Sequence, residues 1–133
     1  MNGGFIMKKE IINAKNAPAA VGPYVHAIKA GDFLFTSGQL GLDPETGVMV
    51  EGVEAQAHLS LKNLGAILSE AGLSYQDVVK TTVFLQDMND FGTVNAIYAD
   101  YFKGETPARS CVQVAKLPKG GLVEIEAVAV KSN

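Results

Sequence analysis

One cysteine and two histidines stand among 133 residues. That is too few for a disulfide framework, and too few for a tetrahedral zinc site built only of His and Cys. Long apolar runs are missing as well, the longest holding a handful of residues where a helix needs ~20 to cross a bilayer. Positive charge is scarce, with 11 Lys+Arg against 14 Asp+Glu and a formal net charge of -3. The bulk field therefore repels phosphate backbones, and nucleic acid is not expected as a partner without a local basic patch. Lys116 and Lys119 form a small basic spot with no interleaved aromatics, which is poor ground for base stacking. Gly120 and Gly121 precede a strand-like run rather than a helix, so the phosphate cradle of a dinucleotide or P-loop site is absent and no nucleotide cofactor is expected. The opening MNGGFIM lacks a charged segment followed by a long apolar one. A secretory leader is not expected, and the cytoplasm is the expected compartment.

What is present is an ordinary globular balance, 47% hydrophobic and 19% charged, in a chain of one-domain length. Residues 1–6 precede Met7 and are set outside the fold, leaving 7–133 as a single domain. Lys8 to Asn13 reads as a short strand, and Asn16 to Pro23 as an extended loop punctuated by Pro and Gly. Tyr24 to Lys29 and Asp32 to Ser37, joined at Ala30-Gly31, read as a hairpin. Asp43 to Gly47 reads as a surface turn. From Val53 the apolar spacing becomes Val53, Ala57, Leu61, Leu64, Leu68 and Ala71, a helical stripe that Gly72 stops. Val78 to Leu85 is apolar on both sides, with Val78, Thr82 and Phe84 expected opposite Val79, Val83 and Leu85. A second helix, capped by Asn89 or Asp90, turns Phe91, Val94, Tyr98 and Phe102 inward with Asn95 at the stripe's edge. Arg109 to Lys116 and Val123 to Lys131 complete six strands. Two helices cover one face of such a sheet, so the other is expected against a partner subunit in a closed homo-oligomer.

Several residues carry candidate chemistry. Period-two geometry places Arg109, Cys111 and Gln113 on one face of their strand. An arginine there either grips a carboxylate bidentately or sits in a structural ion pair. Glu124 and Glu126 share a face of the last strand, as a poised carboxylate in a crevice or as an exposed polar edge. Cys111 lacks a well-placed histidine, since His58 lies on a polar helix face and His26 has no evident orienting carboxylate; an inert thiol is expected. Tyr24 stands either at a cleft or in hairpin packing. Ser37-Gly38-Gln39 permits close approach to backbone N–H groups or simply ends a strand.

Five ordered segments resemble the reactive-intermediate deaminase family, RidA, formerly YjgF: Asn16-Ala-Pro-Ala-Ala-Val-Gly-Pro-Tyr24, Thr36-Ser-Gly-Gln39, Val79-Lys-Thr-Thr-Val-Phe84, Pro107-Ala-Arg-Ser-Cys-Val112 and Val123-Glu-Ile-Glu-Ala127. The resemblance implies a chorismate-mutase-like α+β fold, a six-stranded mixed sheet with two helices on one face, assembled as a homotrimer with clefts between subunits. It implies cofactor-independent, metal-free hydrolysis of 2-imino acids and their enamines, such as 2-aminoacrylate, 2-iminopropanoate and 2-iminobutanoate, to 2-keto acids and ammonia. By the same resemblance Arg109 binds the substrate carboxylate with help from the Cys111 backbone N–H. Glu124 positions or activates water, and Tyr24, Ser37, Gly38 and Asn95 line the cleft. Glu126 receives no role. His26 stands where relatives often carry Gln. Alternative readings within the same family are a single-strand-selective ribonuclease or translation inhibitor, and a metabolite-binding or chaperone-like module without turnover.

Overall fold

The structure, a computed structural model, describes residues 8–131, so the expectation for residues 1–6 lies outside the described residues. Its strands are β1 (Lys9–Ile12), β2 (Ala27–Ala30), β3 (Phe33–Thr36), β4 (Gln39–Leu40), β5 (Val78–Leu85), β6 (Ala108–Gln113) and β7 (Val123–Val130). The helices are α1 (Val53–Glu70) and α2 (Phe91–Tyr101). One seven-stranded mixed sheet runs β1-β2-β3-β7-β5-β6, with β4 also pairing β7. Only β5 and β6 pair in parallel; the other pairings are antiparallel. Among the described residues no helix is long and apolar enough to cross a membrane.

Both helices lie on one face. In β7 Val123, Ile125, Ala127 and Ala129 are buried beside Leu61, Leu64, Ile67 and Leu68 of α1 and Val94, Ile97 and Tyr98 of α2. Glu124, Glu126, Val128 and Val130 alternate onto the opposite, open face and are half-buried. Gly72, at φ 76°, supplies the left-handed residue after α1 that lets the chain turn away.

Four expectations are corrected. The sheet has seven strands rather than six, because Gln39–Leu40 pairs β7 beyond the end of β3. Pairing along β7 slips by one residue between Phe35↔Val128 and Gln39↔Ile125, and Thr36 Oγ1 fills the gap by accepting from Ala127 N–H at 2.9 Å. The sixth strand stops at Gln113 instead of reaching Lys116. In β5 the register breaks between Val78 and Lys80, so Val78 joins Val83 and Leu85 in the core while Val79 is exposed. Finally, Ile97 rather than Phe91 belongs to the buried stripe of α2, Phe91 being 38% exposed.

The short β4 is secured by polar groups. Ser60 Oγ donates to Gln39 O at 2.7 Å, and Asn63 Nδ2 donates to Leu40 O at 3.1 Å and Leu42 O at 3.0 Å. These buried α1 side chains satisfy carbonyls that would otherwise be sealed from water.

Candidate functional site

Arg109 lies on edge strand β6, paired with Thr81 of β5, and Cys111 pairs with Val83. Thr81 and Val83 are buried beneath the helices, so Arg109 and Cys111 face α2. The Arg109 guanidinium carbon sits 4.9 Å from the Tyr98 ring centroid and 5.5 Å from that of Phe91. Among the described residues no carboxylate or other acceptor engages the guanidinium, so the ion-pair alternative is not realised and its N–H donors remain available. Tyr98 is fixed in turn by a 2.7 Å hydrogen bond between its hydroxyl and Thr81 Oγ1. Asn95 is half-buried on the same helix, between Phe91 and Tyr98 at helical spacing. Burial pushes the Cys111 thiol up, with Arg109 opposing in part. The protonated form is thereby favoured, as an inert thiol requires.

Glu124 belongs to a second group. It pairs with Leu40 of β4 and Phe84 of β5 and lies on the open face. The one-residue slip at Ser37-Gly38 brings the backbone of Gly38 under its carboxylate: a Cβ at position 38 would stand 2.8 Å from Glu124 Cδ and 2.9 Å from Oε2. The glycine thus admits the catalytic candidate's own side chain, where the sequence suggested close approach to a ligand. Burial, and secondarily Glu126 nearby, hold the Glu124 carboxyl above the ordinary carboxylate value. Tyr24, His26, Gly38, Leu42, Lys119 and Glu124 border a cavity of about 170 Å³. Tyr24 is exposed there, its hydroxyl accepting weakly from Val21 N–H at 3.4 Å. Ser37, next to Gly38, commits its hydroxyl proton to Val25 O at 2.6 Å.

Some contributors were not legible in the sequence. His26 Nδ1 accepts from Ala14 N–H at 2.9 Å, which leaves the proton on Nε2 to donate to Pro18 O at 2.7 Å. Both ring nitrogens are used to pin one wall of the cavity, through partners 8 and 12 residues away. Lys119, at φ 56°, joins the rim from a left-handed conformation unusual for a residue with a side chain. Phe91 and Tyr98 were read as core, and only their helical spacing signalled a shared face. Among the described residues no group of three or more His, Cys, Asp or Glu is placed to hold a metal ion.

The structure therefore gathers Tyr24, Gly38 and Glu124, with Ser37 adjacent, and separately gathers Arg109, Cys111 and Asn95. It does not bring the two groups together within one chain. Arg109 faces the helices and Glu124 faces away from them, with β5 lying between their strands.

Residues 14–131 match the Endoribonuclease L-PSP family. A RutC family protein of Synechocystis is 61% identical over 127 residues, covering 93% of this chain and 98% of that protein. A mouse protein named 2-iminobutanoate/2-iminopropanoate deaminase is 54% identical over 124 residues, covering 92% of each. Among solved structures, E. coli TdcF with bound serine superposes with a TM-score of 0.88 at 49% identity, covering 92% of this chain and 99% of that one.

Proposed function

The chain belongs to the Endoribonuclease L-PSP (RidA/YjgF) family, and on that premise we propose that it hydrolyses 2-imino acids and their enamine tautomers to 2-keto acids and ammonia. Homologues named 2-iminobutanoate/2-iminopropanoate deaminase at 54% identity support a deaminase. The observation that carries the substrate class is the Arg109 guanidinium, seated on two aromatic rings with no acceptor among the described residues. Such a fork takes a carboxylate bidentately.

The site works as a junction between two copies of the chain. Arg109, with Asn95 and the Cys111 backbone N–H, receives the carboxylate from one subunit, and the Glu124 cavity of the next closes over the C=N. What supports this is the placement of the two groups on opposite sheet faces, together with an open face that exposes Phe33 and Phe35 at 45% and 48%. A head-to-tail contact that closes on itself, as in a homotrimer, joins such unlike surfaces around a ring.

In this site the carboxylate of Glu124 takes a proton from water as the oxygen bonds to the imine carbon and the C=N electron pair moves to nitrogen, and Glu124 then returns that same proton to nitrogen, giving the carbinolamine. The carbinolamine collapses as Glu124 takes its hydroxyl proton and passes it to the amino nitrogen: the C=O forms, the C–N bond breaks and ammonia departs, leaving the keto acid. The raised carboxyl suits a group that takes and returns protons. The imine is already electrophilic, so orientation and proton handling suffice, and no covalent nucleophile, metal or cofactor enters. The cytoplasm is the compartment proposed for this activity.

The test couples an amino-acid oxidase or dehydratase, which generates imines of differing side chain, to the purified protein and follows imine loss and keto-acid gain. Acceleration abolished by substitution at Arg109 or Glu124 is expected. No acceleration, with salt-sensitive cleavage of single-stranded RNA instead, moves the function to the ribonuclease reading; metabolite binding without turnover moves it to a binding module. Arg109→Lys keeps the charge but loses the planar fork, and is expected to lower kcat/KM by roughly 10- to 100-fold.

A further inference from the structure

We infer that Tyr98, locked by Thr81, is the positioning residue that fixes the plane in which Arg109 meets its anion. This rests on the reading of Arg109 as the carboxylate anchor and extends it to a residue that touches no substrate. The geometry forms a relay. Thr81 lies directly opposite Arg109 across the β5–β6 pairing. It is fully buried, and its hydroxyl holds the Tyr98 hydroxyl at 2.7 Å. Tyr98 is itself 7% exposed, packed against Phe102 at 4.5 Å between centroids, so both its ring tilt and its depth are set. The Arg109 guanidinium then lies over that ring at 4.9 Å.

An arginine on an edge strand with no acceptor among the described residues would otherwise sample several rotamers, and its fork would meet a carboxylate in the right plane only part of the time. The second ring, Phe91, is 38% exposed and farther away at 5.5 Å; it has no hydroxyl with which to be tethered. Tyr98 is therefore the fixed element of the pair. Its hydroxyl serves the protein interior and its face serves the guanidinium, which explains why a tyrosine, and not simply a bulky apolar residue, occupies this place in the stripe.

The experiment measures pyruvate affinity by calorimetry, together with imine hydrolysis, for the full chain and for Tyr98→Leu, Tyr98→Phe and Thr81→Val, with melting curves for each. Loss of a desolvated cation–π contact predicts about tenfold weaker pyruvate binding in Tyr98→Leu, matched by a rise in KM with kcat changed far less. Tyr98→Phe keeps the ring and is expected to recover most of that loss. Thr81→Val frees the hydroxyl and falls between. In an Arg109→Gln background the Tyr98 change has no further effect on the residual pyruvate affinity, because the group it positions is gone. Losses that persist unchanged in that background, or Phe and Val variants indistinguishable from wild type alongside a folded Leu variant that binds normally, overturn the assignment. Should Tyr98→Leu fail to fold, the Phe and Val variants decide it: an unchanged pyruvate affinity in Thr81→Val overturns the relay. A wild-type protein that binds pyruvate with this pattern of variants yet turns over no imine supports the Tyr98 assignment while overturning the hydrolysis reading.

Discussion

Glu124 is held under two opposing demands, since the proton-carrying role proposed for it requires ionisation and its surroundings resist that. Burial and then Glu126 keep its carboxyl above the ordinary value. Between the ordinary and the raised value the native state binds more protons than the unfolded chain, so this residue makes stability fall as pH rises through that window. Glu124→Gln is accordingly expected to melt higher than wild type at neutral pH, with the gap closing below the ordinary carboxylate range; a gap independent of pH would contradict it. Glu126→Gln removes the secondary cause, and the acid limb of the activity profile should move to lower pH, measured as kcat/KM against pH. Gly38→Ala places a methyl 2.8 Å from Glu124 Cδ. The carboxylate must swing away, and activity should drop by at least ~10-fold while the fold loses about 1–3 kcal/mol by denaturant titration. At this scale the sequence was informative about chemistry but not about partners. Period two correctly set Arg109 with Cys111 and Glu124 with Glu126. Whether Arg109 had an ion-pair partner depended on α2, which reaches it only through tertiary packing, and the reason for Gly38 lay 86 positions away in a side chain on β7.

Single elements show where periodicity succeeds and where it fails. α1 was legible from its apolar stripe to its stop at Gly72 because its spacing, its length and the residue after it agree. β5 was legible as a strand that turns Val83 and Leu85 inward, yet its inward set was misread at Val78, since a bulge adds one residue that no alternation rule can detect. β4 was unreadable for a different reason. Two residues carry no periodic signal, and this strand exists because Ser60 and Asn63, 21 to 23 residues away, meet its carbonyls and that of Leu42. Since β4 carries the cavity wall beside Glu124, those α1 side chains bear on the site. Asn63→Leu should orphan two buried carbonyls and cost about 2–4 kcal/mol of unfolding free energy. Ser60→Ala orphans one and should cost roughly half as much. Equal, small losses in urea melts would mean that water replaces the amide.

At the scale of the whole molecule, the sheet itself forms the barrier between the two halves of the proposed site. Arg109 looks toward the helices and Glu124 looks away from them, so a single chain offers the proposed anion anchor without the proposed proton carrier on one side and the reverse on the other. The uncovered apolar face was foreseeable from arithmetic alone, because two helices cannot cover both sides of so wide a sheet; that the face also separates Arg109 from Glu124 emerged only once the strand order β7-β5-β6 was known. This division yields a quantitative test. Arg109→Gln and Glu124→Gln should each be nearly inactive as pure proteins. If every site takes its arginine from one subunit and its glutamate from the next, random co-assembly of equal amounts pairs an intact arginine with an intact glutamate at about one interface in four. Chains unfolded together and refolded should thus recover about a quarter of wild-type activity, whereas the same proteins merely mixed after folding should recover it only as fast as subunits exchange. A site contained within one chain allows no such recovery, because every chain in the mixture still lacks one of the two groups. Activity that stays at the level of the separate variants after co-refolding, with mixed oligomers verified by mass spectrometry, would refute the shared site and return the search for the proton carrier to the helix side of the sheet.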